Sequence, residues 1–145
     1  MELRKANNEE LKELVPIFKE FFPVHAIFTK SDEEIMQYLS NFKGDILIAY
    51  KDSKVVGGIA IERKHYGHVL ALFKHIASKG GSKKIVKEMV QEAEKIANAG
   101  KIEIHIAEGE KIAHGFFKRL GYKVEGKLRA HYRPNEICYI LGKVI

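Results

Sequence analysis

Apolar and polar positions alternate along this chain with two periods, and the switches between them mark the elements. After a short first strand at Glu2–Ala6, Leu11, Leu14, Val15, Phe18 and Phe22 recur at helical spacing. Asn7 with Glu10 gives that helix a capping box, Pro16 predicts a kink or break inside it, and Pro23 ends it. Ser31 with Glu34 opens a second, shorter helix through Ile35, Tyr38, Leu39 and Phe42. Between the two, VHAIFT is apolar without a period and reads as a loop that packs onto something. Asp45–Tyr50 and Val55–Ile61 are β-branched runs joined by KDSK, which predicts a hairpin. Gly57-Gly58 inside the second run predicts a bulge or a close backbone approach.

Val69–Ala77 is the next strand. The chain then turns through Lys79, Gly80 and Gly81 into a long amphipathic helix. Ser82 is placed to cap it, and Ile85, Val86, Met89, Val90, Ala93, Ile96 and Ala97 form its apolar stripe. Gly100 falls where a helix end favours positive φ. Lys101–Ala107 alternates with period two: Ile102, Ile104 and Ile106 share one face, Glu103 and His105 the other. A short helix at Glu110–Leu120, closed by Gly121, precedes strands at Tyr122–Leu128 and Ile137–Val144. The order β-α-α-β-β-β-α-β-α-β-β predicts a single domain over 1–145: an α/β (α+β) fold with a mixed, mostly antiparallel sheet and helices on both faces. Three consecutive strands before the long helix exclude a doubly wound nucleotide fold.

Composition changes this picture little. The single cysteine, Cys138, excludes a disulfide framework and sits in an apolar run, as a buried structural thiol would. No apolar run is long enough for a membrane helix, and MELRKANNEE carries no signal core, so a cytoplasmic location is expected. Abundant Lys, Glu and Ile with no Trp resemble thermophile usage. His65, His68 and His75 have no carboxylate among them and no zinc-like spacing, so no metal is expected.

Charge adds more. The net charge is +6, and from Arg63 to Lys87 there are seven Lys or Arg and no Asp or Glu. Lys79, Lys83 and Lys84 crowd the positive end of the long helix's dipole, a placement that costs ~0.3–1 kcal/mol per cation unless an anion lies among them. Strand, glycine turn and helix N-terminus form a general phosphate-binding arrangement. Two readings stay open at this level: an anion site, or exposed lysines that tolerate a small penalty. A nucleic acid is the rival polyanion, but aromatic-rich RNA-binding signatures and zinc-finger spacing are lacking, so it is not favoured.

The second half carries a family likeness. EAEKIANAGKIEIHI, then FFKRLGYKVEG (Phe116–Gly126), then LRAHYR and EICYILGK resemble the GNAT (Gcn5-related) N-acetyltransferases, chiefly the ribosomal-protein N-terminal acetyltransferase branch. The match covers Val69 to Lys143 well and the first half by pattern. The resemblance implies acetyl-CoA as acyl donor and a primary amine as acceptor, either a small molecule or a protein or peptide N-terminus. The donor's pantetheine arm would lie along His75, Ile76 and Ala77, with its pyrophosphate on the turn of Lys79, Gly80, Gly81, Ser82, Lys83 and Lys84. Where the family turn reads Q/R-x-x-G-x-G/A, this chain has Gly81, Lys84 and Val86. Where the family has a tyrosine acid, it has Phe117, a further donor-site position, which leaves Tyr122 and Tyr132 as the neighbouring hydroxyls. Glu110 replaces a family asparagine. His105 aligns with a strand glutamate that is a candidate base; an ordinary half-buried strand histidine is the alternative. His25, Phe28, Arg129 and Tyr132 are expected to border the acceptor, within the loops Val24–Thr29 and Arg129–Glu136. A second reading is a GNAT-fold module that binds a CoA-like or nucleotide ligand without turnover. A homodimer through the exposed edge of the last strand is a further expectation.

Overall fold

A computed structural model describes residues 1–145. The elements are β1 (Glu2–Lys5), α1 (Asn8–Phe21), a 3₁₀ turn (Ala26–Thr29), α2 (Asp32–Ser40), β2 (Asp45–Lys51), β3 (Lys54–His65) and β4 (Val69–Ser78), followed by a second 3₁₀ turn (Lys79–Gly81), α3 (Lys83–Ile96), β5 (Lys101–Ala107), α4 (Lys111–Arg119), β6 (Lys123–Arg129) and β7 (Ile137–Val144). The seven strands have the order β1-β2-β3-β4-β5-β7-β6. Strands β4 and β5 are parallel; β1–β2, β2–β3, β5–β7 and β6–β7 are antiparallel. The chain forms two compact units, one of Met1–Glu62 with His75–Ala97, the other of Arg63–Lys74 with Asn98–Ile145. No helix is long and apolar enough to cross a membrane.

In the first unit, the expected capping box closes α1: Asn7 Oδ1 accepts from Glu10 N at 2.9 Å, and Glu10 Oε1 accepts from Asn7 N at 3.0 Å. Pro16 does not break this helix, which runs on to Phe21. Buried Leu14, Val15, Ile17 and Phe18 flank the proline and hold its turn against the core. Ser31 caps α2 by accepting from Glu34 N at 3.2 Å, and that helix ends at Ser40, short of Phe42. The VHAIFT segment curls into its 3₁₀ turn and buries Phe28 against Phe18, with ring centroids 5.1 Å apart. The β2–β3 hairpin turns on Asp52 and Ser53, both left-handed (φ 52° and 62°), as a two-residue primed turn requires.

Both glycine expectations at positions 57 and 58 hold. The β2–β3 register shifts by one residue beside Gly57. A Cβ on Gly58 would meet Leu14 of α1 at 2.8 Å, and one on Gly57 would meet the Ala77 carbonyl at 2.5 Å and Met89 of α3 at 2.9 Å. Neighbouring strand residues point to opposite faces, so the glycine pair lets one helix approach on each side. Since the carbonyl cannot yield, Gly57→Ala is expected to cost about 1–3 kcal/mol, read as a lower denaturant midpoint at unchanged slope.

Glu10 also joins β1 to β2. It accepts a forked pair of hydrogen bonds from Arg4 (2.8 and 2.6 Å) and one from the Tyr50 hydroxyl at 2.5 Å. Arg4, then Tyr50, hold its carboxyl down from 4.5 to about 2. A depressed carboxylate pKa stabilises the fold above its unfolded value and is lost as pH falls toward the folded one. Stability is therefore expected to drop as pH is lowered from about 5 to 2, and Glu10→Gln should flatten that part of a melting-temperature profile.

In the second unit, the helix-ending residue with positive φ is Asn98 (φ 51°), not Gly100. Asn tolerates the left-handed region, whereas at Gly100 a Cβ would lie 2.5 Å from the exposed His68 ring, which would have to shift. Gly121 (φ 96°) closes α4 as expected. The last strand is not an edge: β7 pairs with β5 and with β6, so the dimer edge expected on it does not exist there, and β6 ends the sheet.

Candidate active site

In the first unit, β4 delivers the chain to a turn built from two successive left-handed glycines, Gly80 and Gly81, each with φ 68°. A Cβ at either position would meet nothing within 4 Å, so the backbone here is open. Their identity is therefore set by conformation rather than by crowding. Ser82 caps α3 by accepting from Ile85 N at 3.2 Å, which fixes the direction of the helix's first amides. Those amides have no partner one turn back. Lys79, Lys83 and Lys84 are all exposed around them. Val86 does not crowd the turn: its side chain is 8% exposed and belongs to the buried stripe with Met89, Val90 and Ala93. Ile85 is half-buried and Ile96 exposed, so the stripe is narrower than its spacing predicts. Just before the turn, Ser78 is buried and its Oγ has no hydrogen-bond partner.

Ile76 and Ala77 are buried in β4. His75 is 6% exposed; its Nε2 lies 2.7 Å from the Tyr38 hydroxyl. Phe18, Phe22, His25, Phe28 and Phe42 surround its ring. Phe28 is itself buried, which makes it a core residue, while His25 is half-buried beside it.

In the second unit, the alternation of β5 puts Lys101, Glu103 and His105 on one face and buries Ile102, Ile104 and Ile106 on the other. His105 Nδ1 is 3.1 Å from the Tyr132 hydroxyl, and its Nε2 is 3.6 Å from Glu103 Oε1. His131 approaches edge-on, with ring centroids 6.0 Å apart. Burial lowers the His105 pKa below 6.5; Glu103 opposes this, and His131 and Lys64 reinforce it. These surroundings favour the neutral imidazole, which keeps a lone pair.

Tyr132 is 58% exposed, in the β6–β7 connection with Arg133, and Arg129 ends β6 just before it, paired with Ile137, whereas Tyr122 is 2% exposed. The Tyr122 ring packs edge-on to Phe117, with the Lys143 ammonium 5.5 Å from its centroid. Phe117 is 7% exposed and wedged between Phe116 and Tyr122. Glu110, at the start of α4, accepts from Ala107 N at 3.3 Å. Ser78 and Glu103 were missed in the sequence. Period-two alternation in β5 was a usable signal for Glu103; Ser78 has none, since its burial depends on packing.

Residues 11–122 match the model of the Acetyltransferase (GNAT) family. The chain belongs to the GNAT acetyltransferases, and acetyl-CoA is that family's acyl donor. No curated protein sequence matches it. Among solved structures, the Enterococcus faecium aminoglycoside 6'-N-acetyltransferase is similar at TM-score 0.76 and 17% identity, over 99% of this chain and 97% of that one. Arabidopsis thaliana Naa50, solved with a bisubstrate analogue CoA-Ac-MVNAL, is similar at TM-score 0.73 and 17% identity, over 99% and 98%. The Brucella melitensis ribosomal-protein-alanine N-acetyltransferase gives 0.71 and 14% over the whole of both chains. At these identities the likeness is one of fold.

Proposed function

We propose that this protein transfers the acetyl group of acetyl-CoA to the α-amine of a peptide or protein N-terminus. The observation that carries the reading is the open double-glycine turn on α3, whose amides and three lysines suit the donor's phosphates. Ser78 Oγ, buried and unmatched, fits a further polar contact to the same ligand. The donor supplies a thioester carbonyl and, on transfer, a thiolate whose acid has a pKa of about 8.5, low enough to depart without a dedicated acid. That suits a chain with Phe117 at the family's tyrosine position. His105 is the base that takes the acceptor's proton. The C–N bond forms, the C–S bond breaks, and the proton released from the amine is held on the imidazole.

Charge favours the kind of acceptor. The unit that holds His105 has twelve Lys and Arg against five Asp and Glu, a net +7. A field of that sign disfavours polycationic amines and draws in acidic or neutral peptides. Initial rates on a peptide with acidic residues behind its N-terminus, on its lysine-substituted counterpart and on spermidine test this. The acidic peptide is expected to be fastest, with an advantage that shrinks as salt rises. A spermidine rate equal to or above it would overturn the acceptor assignment.

The rival is a GNAT-fold module that binds its ligand without turnover, favoured by the burial of Phe117. Tight acetyl-CoA binding with no transfer to any amine would establish it.

A further inference from the structure

His105 has two ring nitrogens with different neighbours, and their chemistry fixes which one works as base. The Glu103 carboxylate can only accept a hydrogen bond, whereas the Tyr132 hydroxyl can donate or accept. The arrangement that satisfies both places the ring proton on Nε2, facing Glu103, and leaves the Nδ1 lone pair to accept from Tyr132. At 3.6 Å, the Nε2–Glu103 contact exceeds an ordinary hydrogen bond but lies within ion-pair reach. It therefore strengthens when the ring becomes charged, as it would on taking a proton.

Glu103 is itself anchored. Lys101, two residues back on the same face of β5, lies 3.9 Å from its Oε2 and pairs more closely with Glu125 of β6. Gly142 of β7 makes room for that reach, since a Cβ there would be 2.6 Å from the Glu125 carboxyl. The result is an ordered row, Tyr132–His105–Glu103–Lys101–Glu125, along one face of the sheet. Its inner members are largely covered and its outer end, the Tyr132 hydroxyl, lies in an exposed loop.

Resting on the function proposed above, we propose that Glu103 is a positioning residue that selects the Nε2–H form of His105, so that the acceptor's proton reaches Nδ1 through the Tyr132 hydroxyl. The transfer balances: the Tyr132 oxygen receives the amine proton as its own passes to Nδ1, which leaves a neutral tyrosine and an imidazolium paired with Glu103. The imidazolium then returns its proton to solvent. The charged and titratable groups acting on His105 are Glu103 of β5, Lys64 of β3, and His131 and Tyr132 of the β6–β7 connection, with Lys101 behind Glu103.

Nitrogen-15 NMR of the imidazoles, with His105 assigned by His105→Gln, tests this without reference to activity. In the wild type the neutral ring is expected as the Nε2–H tautomer. Glu103→Gln should lower its pKa, because the partner of the charged form is lost; Tyr132→Phe should raise it, because the donor to the neutral form is lost. The acidic limb of kcat/KM should follow the Glu103→Gln shift, with kcat/KM at pH 7 reduced about tenfold or more and KM for acetyl-CoA unchanged. An Nδ1–H tautomer in the wild type, or shifts that are absent or of the same sign in both variants, would overturn the proposal. Failure of acetyl transfer with the expected tautomer and opposed shifts would instead count against the enzyme reading alone.

Discussion

His105→Ala is expected to lower kcat/KM for acetyl transfer at pH 7 by roughly 10²–10⁴-fold, the usual contribution of a positioned general base. The loss should fall on kcat, leaving acetyl-CoA affinity intact, because His105 lies on β5, outside the Lys79–Lys84 turn proposed to hold the donor. The pH dependence carries a sign. Burial lowers the His105 pKa from 6.5, so the base form dominates at neutral pH and kcat/KM should decline only as pH falls below that value. In His105→Ala this acidic limb should disappear along with most of the rate. Comparing wild-type and variant profiles from pH 5 to 8 checks both statements. An alanine variant with full activity and an unchanged limb would return His105 to the role of an ordinary strand residue.

Gly81→Asp is expected to weaken acetyl-CoA binding by at least about 100-fold. Two effects add. A non-glycine residue at φ 68° costs about 1–2 kcal/mol in the left-handed region. A carboxylate close to a phosphate then opposes it by up to ~4 kcal/mol at the effective dielectric of a protein surface. Nothing lies within 4 Å of the position a Cβ would take, so the fold itself should survive. Gly81→Ala separates the two effects, retaining the strain but not the charge, and should lose about a tenth as much affinity or less. Equal losses in both variants would mean that backbone shape rather than anion contact controls the site.

How much of this was legible in the sequence depended on whether a feature is local. Capping at Asn7, Ser31 and Ser82, the strand alternation of β5 and the glycine turn are short-range, and each stands in the structure as its spacing predicts. Of the kink or break expected at Pro16, the break does not occur, because propensity for a break ignores the burial of Leu14 and Phe18 on either side. Gly100 misled because the left-handed residue is Asn98, and the neighbour that Gly100 does meet is His68, thirty-two residues away in the chain. The strand order was equally hidden: β7 inserts between β5 and β6, and nothing in its own residues announces that. In the candidate site, His105 and Tyr132 could be named from the family likeness, but their 3.1 Å contact joins residues twenty-seven positions apart. His75, named from its place near a strand end, and Phe28, named in a loop expected to pack onto something, both lie in the aromatic core.

Donor binding at the Gly80–Gly81 turn is the measurement that tests the account most directly. Calorimetric titration with acetyl-CoA, beside CoA and ATP, is expected to give micromolar binding for the first two, weaker binding for ATP, and a marked loss in Gly81→Asp. Absence of heat at millimolar acetyl-CoA would contradict the account, leaving Gly80 and Gly81 as a turn without that ligand.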